Sequence, residues 1–136
     1  MISAITNGGK VRFMFYRDTM NSRRLIKFMR RLTKDAGRKV FLILDNLKVH
    51  HSTLVKKWLE KYQEKIEVFF LPAYSPELNP DEYLNNNLKG RVHSGERAQN
   101  SEQLESKARA HMRNLQNKPT KVKKFFEHRC ISYAAA

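Results

Sequence analysis

The chain has 136 residues, 40% of them hydrophobic, and carries 27 Lys and Arg against 13 Asp and Glu for a net charge of +14. That is one domain's worth of chain with enough apolar content for a core, which excludes a disordered tail. Its longest apolar runs are about five residues, against the roughly 20 that span a bilayer, so no membrane is expected.

The opening MISAITNGGK shows no basic leader followed by a long apolar segment, and Cys130 has no second cysteine to pair with. A cytoplasmic location is therefore expected. The charge points to a polyanionic partner, nucleic acid ahead of an anionic membrane surface, with a solvated surface that is simply basic as the plain alternative.

Taken in order, Ile2 to Ile5 and Val11 to Tyr16 are β-prone runs around Asn7-Gly8-Gly9, a hairpin signal because Asn-Gly tolerates the positive φ of a tight turn. Residues 22–34 predict an amphipathic helix: Leu25, Phe28, Met29 and Leu32 share a face, and Arg23, Arg24, Lys27, Arg30, Arg31 and Lys34 occupy the others. Ser22 is the expected N-cap and Gly37 the stop.

The run Val40 to Leu44 has no alternation, which suits a strand covered on both faces. Residues 52–62 predict a second helix with Lys56, Lys57 and Lys61 outside its apolar stripe, and 66–71 another strand ended by Pro72. Residues 101–116 and 119–129 predict two more helices. Between Lys107 and Arg129 there are eight Lys or Arg and one acid, Glu127. This order is α/β, with strand–helix–strand crossovers.

Asp45 follows the apolar run directly, where α/β sheets place their ligands. Asn46 next to it allows a plain Asp-Asn turn instead. His50 could face the same crevice or, with His51, precap the helix that starts near Ser52. Glu82 lies beyond a stretch holding Pro72, Pro76 and Pro80, which stiffens the approach. Asn79 as N-cap places Pro80 at N1 and Glu82 at N3. Glu82 then has a structural explanation as a capping-box residue reaching back to the Asn79 amide. A rigidly held carboxylate is also what a hard cation asks of a ligand.

FLILDNLKVHHS and FFLPAYSPELNPDEYLNNNLK resemble the second-aspartate and third-acid segments of DDE transposases of mariner-like bacterial insertion sequences. ISAITNGGKVRFMFYRDTMN and VKKFFEHRCISYAA also look family-like, so the resemblance covers nearly the whole chain. It implies an RNase H-like fold, a mixed sheet with flanking helices, and a single partial catalytic domain over residues 1–136 with a basic helical tail from about residue 101. It also implies two-metal phosphoryl transfer with Mg²⁺ or Mn²⁺.

Carried over by position, Asp45 and Glu82 are the second and third acids and the metal ligands. Asn46, His50, Asn79 and Asp81 are candidates for supporting roles around them. DNA, as transposon ends and target, is the implied partner, contacted through Arg23, Arg24, Lys27, Arg30, Lys56, Lys57, Lys121, Lys123 and Lys124. The implied setting is the bacterial cytoplasm, with nucleoid association when bound to DNA.

The family's first acid sits on a strand before the hairpin, and no acid precedes Asp18 here. The resemblance therefore implies an incomplete fold lacking its first central strand. A truncated gene, the second frame of a frameshifted element, or a partner fragment supplying that strand would each account for it, and a homodimer is a further possibility. The competing reading is a non-catalytic basic DNA-binding remnant that competes or associates with an intact transposase. An RNA-associated factor ranks below both, because the aromatic residues fall on apolar stripes without forming a stacking platform.

Overall fold

In the computed structural model, which describes residues 1–94 and 97–135, the chain divides into two compact units. The first comprises Met1–Ile2 with Met14–Pro76, the second Ser3–Phe13 with Glu77–Ala136.

The first unit is built on helix α1 (Ser22–Ala36), strand β1 (Val40–Leu44), helix α2 (Thr53–Lys61) and strand β2 (Ile66–Phe70). The two strands pair in parallel from Val40 opposite Ile66 to Leu44 opposite Phe70, as a crossover through α2 requires. Leu25, Ile26 and Met29 of α1 pack with Val55 and Trp58 of α2 and with Ile66, and Val40, Leu42 and Val68 line the same core. Full burial of each such aliphatic side chain contributes about 1.5–3 kcal/mol.

Helix α1 starts one residue earlier in the cap than its sequence suggests. Asn21, not Ser22, is the N-cap and accepts the Arg24 amide at 2.9 Å. The Ser22 hydroxyl instead donates to the Ser52 hydroxyl at 2.7 Å, while Ser52 itself caps α2. Gly37 ends α1 at φ 66°, the left-handed conformation expected of it.

The β1–β2 pair is covered on one face only. Its residues alternate in exposure, and Phe41 (63% exposed), Ile43 and Phe69 (49%) lie on the open side. The expectation of a strand buried on both faces is thus corrected: an uninterrupted apolar run does not report how many faces are covered. Phe41 and Phe69 are also neighbouring exposed rings, 6.4 Å between centroids, so the aromatic residues are not confined to buried stripes.

The second unit contains the hairpin of β3 (Ile2–Ile5) and β4 (Val11–Met14), whose outermost residues belong to the first unit, and helices α3 (Pro80–Val92), α4 (Ser101–Gln116), α5 (Pro119–Lys123) and α6 (Ser132–Ala135). The hairpin turn is closed by Gly9 N–H to the Thr6 carbonyl and Thr6 N–H to the Lys10 carbonyl, both 3.0 Å. Gly9, at φ 92°, takes the positive φ expected at Asn7-Gly8. A Cβ on Gly9 would stand 2.6 Å from the Pro119 carbonyl oxygen, so the turn packs directly on the start of α5.

Leu84, Met112, Leu115, Val122, Phe125, Phe126 and Ile131 are among the unit's buried side chains, with Val11 from the hairpin. The helix predicted over 119–129 ends at Lys123 and passes into separate 3-10 turns, Lys124–Phe126 and Arg129–Ile131. No helix among the described residues is long and apolar enough to cross a membrane.

Candidate active site

Asp45 stands at the carboxyl end of β1, one residue past the last ladder position. The following backbone turns back on itself. The Asp45 carbonyl accepts the Leu47 amide at 3.0 Å and the His50 ring at 2.5 Å. A carbonyl oxygen only accepts, so Nδ1 of His50 carries the proton and the buried ring is fixed by this bond. Asn46 is exposed, and its side-chain oxygen accepts from Nε2 of His51, whose ring stacks on Phe70 at 4.1 Å. Asp45, Asn46 and His50 are thus brought together in one turn, with His50 acting on the Asp45 main chain. His50 and His51 form a 3-10 turn ahead of α2, whose cap is Ser52.

Glu82 occupies the first turn of α3. Asn79 is the N-cap, Pro80 follows at N1, and the Asn79 side chain accepts the Asp81 amide at 3.0 Å. The half-buried Glu82 carboxylate has no hydrogen bond or ion pair among the described residues. The expected capping-box bond from Glu82 to the Asn79 amide is not made; the Asn79 side-chain oxygen accepts the N2 amide. Asp81 is turned to the hairpin, where the Ser3 hydroxyl lies 2.7 and 2.9 Å from its two carboxylate oxygens and can donate to either.

Three contacts around Glu82 have no local sequence signal. Tyr83 stacks on His128, 3.7 Å between centroids and 11° from parallel, and its hydroxyl donates to the Glu77 carbonyl at 3.2 Å. The Tyr133 hydroxyl donates to the Leu78 carbonyl. Residues near the end of the chain therefore hold the proline-rich approach to α3. The aromatic character of Tyr83 and Tyr133 could have flagged them, but not their partners.

Carboxylate oxygens are the hard donors that Mg²⁺ and Mn²⁺ take, so the chemistry of Asp45 and Glu82 fits such an ion. Among the described residues no group of three or more His, Cys, Asp or Glu side chains forms a ready metal cluster.

Arg23, Lys27 and Arg30 follow one another at helical spacing on the exposed face of α1. Arg24 is placed differently: half-buried, it donates to the Thr19 carbonyl and lies over the Tyr16 ring. Lys56 and Lys57 are exposed on α2, Lys123 ends α5, Lys124 opens the next turn, and Lys121 is half-buried.

A search of curated proteins returned no match. Among solved structures, the chain is similar to the catalytic domain of Mos1 mariner transposase, with 20% identity, 95% of this chain and 70% of that one covered, and a TM-score of 0.61. It is also similar to the Mos1 transposase catalytic domain with raltegravir and Mg, at 20% identity, 96% and 72% coverage and a TM-score of 0.61. The Mos1 paired-end complex with left transposon end gives 21% identity, 98% and 42% coverage and a TM-score of 0.63. At these identities the likeness establishes the fold: mixed α/β, of the RNase H-like transposase catalytic type. The model of the DDE superfamily endonuclease family matches residues 1–105, which run through both units and include Asp45 and Glu82. With that share of its residues matched, the chain belongs to the DDE superfamily endonuclease family.

Proposed function

We propose that this chain is the C-terminal portion of a single DDE transposase catalytic domain, from a bacterial insertion sequence, that cleaves and joins DNA strands with a divalent metal. The observation that carries the reading is Glu82: a half-buried carboxylate in the Asn-Pro-x-Glu segment, presented by the first turn of a helix and unpartnered among the described residues. Asp45 and Glu82 serve as metal ligands, with Mg²⁺ or Mn²⁺ as the ion. Such an ion would acidify the attacking water or 3′-hydroxyl and stabilise the leaving oxygen.

The chain's own residues hold and orient. His50 fixes the Asp45 main chain, Asn79 sets the start of α3, and Ser3 occupies Asp81 so that it is directed away from that role. Arg23, Lys27, Arg30, Lys56 and Lys57 bind backbone phosphates without reading sequence. A third carboxylate comes from a further strand, in an upstream transposase fragment or a longer form of this chain.

Cleavage of a labelled duplex in Mg²⁺ or Mn²⁺ tests the reading. The 136-residue chain binds duplex DNA without cutting it, and co-expression with the segment carrying that strand restores cutting. Asp45→Asn and Glu82→Gln each abolish the restored activity and leave duplex affinity within about twofold, since neither removes a phosphate contact. Cleavage indifferent to both substitutions would reject the assignment. Binding without cleavage in every arrangement favours the alternative, a non-catalytic remnant.

A further inference from the structure

The turn Lys48–His51, just beyond Asp45, is a 3-10 helix, and at three residues per turn its first and last side chains lie one above the other. Those residues are Lys48 and His51, and both are exposed. The Lys48 ammonium has no hydrogen bond or ion pair among the described residues.

The His51 ring is held on two sides. At its edge, Nε2–H is donated to the side-chain oxygen of Asn46, the residue after Asp45. One face lies on Phe70, the last residue of β2, at 4.1 Å between centroids and 30° between planes. Phe70 is itself 39% exposed. Ordering an exposed side chain costs rotamer entropy, and a ring left in water recovers little of that cost through burial. A flat ring fixed in advance, with its outer face open, lowers the cost of stacking a second flat ring upon it.

We propose that His51, backed by Phe70 and locked by Asn46, is a stacking platform for one unpaired nucleobase of DNA, with Lys48 taking a phosphate of the same strand. A ring and a cation on one side of a single turn match the two recognition features of an unpaired nucleotide, its base and its phosphate. The net charge of +14 favours such a polyanion over an uncharged aromatic ligand. Every base has a π-face, so the platform reads no sequence. Through Asn46 it stands beside Asp45, and the base it holds belongs to a nucleotide near the phosphate offered to that acid. DNA whose end is already unpaired there binds more tightly than a closed duplex, because the unstacking has been done beforehand.

This proposal rests on the reading of the chain as a DNA-processing protein, and the test separates the two. Affinity of the full chain is measured by fluorescence anisotropy for a blunt duplex, the same duplex with a short 3′ overhang, and that overhang built from abasic sugars. The parent prefers the overhang to the blunt end by about tenfold, the size of one base–ring stack, and the abasic overhang loses the preference. A 2-aminopurine in the overhang dims on binding, as a stacked base does.

His51→Ala brings the preference close to one and leaves the 2-aminopurine bright. His51→Phe, which keeps a ring over Phe70, retains most of both. Lys48→Gln reduces the salt slope for the overhang by about 1, the loss of one phosphate contact, and an unchanged slope removes Lys48 from the site. Equal parent affinity for all three ends, or a preference that survives the abasic overhang or a folded His51→Ala, overturns the platform while the DNA reading stands. A parent chain that binds none of the three overturns both. If His51→Ala does not fold, the abasic comparison in the parent decides.

Discussion

The surroundings of the two motif acids are built in opposite ways. Around Asp45 the backbone turn is tied by near neighbours: Leu47 and His50 bond its carbonyl, and His51 bonds Asn46. Around Glu82 the partners come from far away: Ser3 reaches Asp81 across 78 positions, Tyr133 reaches Leu78 across 55, and His128 stacks on Tyr83. A locally closed turn can form as soon as its own strand is in place. A turn held from a distance forms only when its whole unit folds. The two turns therefore draw these contacts from different parts of the chain.

The sharpest way to break this contrast is Ile131→Ala. Ile131 is fully buried in the second unit, and its truncation should cost about 3 kcal/mol. Hydrogen exchange should show α3 losing protection at its first turn while the amides of β1 and β2 keep theirs. Equal loss in both places would mean that the acids are not supported separately.

His50→Leu is the matching change on the other side. It removes one of two donors to the Asp45 carbonyl, at about 1–2 kcal/mol. Faster exchange should appear in residues 45–51 and not in α3, and His50→Asn should recover part of the loss by restoring a donor.

The smallest expected effect concerns pH and belongs to the second unit alone. Burial makes the folded His111 bind its proton less readily than the unfolded one, whose value is near 6.5. Between those two values the unfolded state carries more protons, so stability rises with pH there. The contribution is complete above the unfolded value and is lost as pH falls through 6.5 toward the lowered folded value. Thermal melts of the parent and His111→Asn should differ in their pH slope within that window and converge above it. Identical slopes within it would remove His111 as the source.

Much of the first unit was legible because its information is periodic and local. The α1 stripe, the Gly37 stop and the strand ending just before Asp45 all follow from neighbouring residues, as does the Asn79-Pro80 helix start in the second unit. The family motifs fixed which acids to watch. What escaped was long-range or two-sided: a five-residue apolar run cannot say that Phe41 and Ile43 face outward.

Nor can a sequence pattern say that Ser3 answers Asp81, or that Glu82 forgoes the capping bond its position permits. His111 carries no signal of its own in the sequence. Only the Asn87 contact gives it meaning.

The seat of Gly9 against Pro119, together with the Gln116 side-chain amide donating to the Val11 carbonyl at 3.0 Å, sets a schedule during protein synthesis. The hairpin leaves the ribosome before its supports exist, because Gln116 lies 105 positions beyond Val11. At about 5–20 residues per second that delay is of order 5–20 s. The hairpin is therefore among the last parts to settle, and until then the nascent chain offers an unsupported β-ribbon to whatever chaperones attend the exit tunnel.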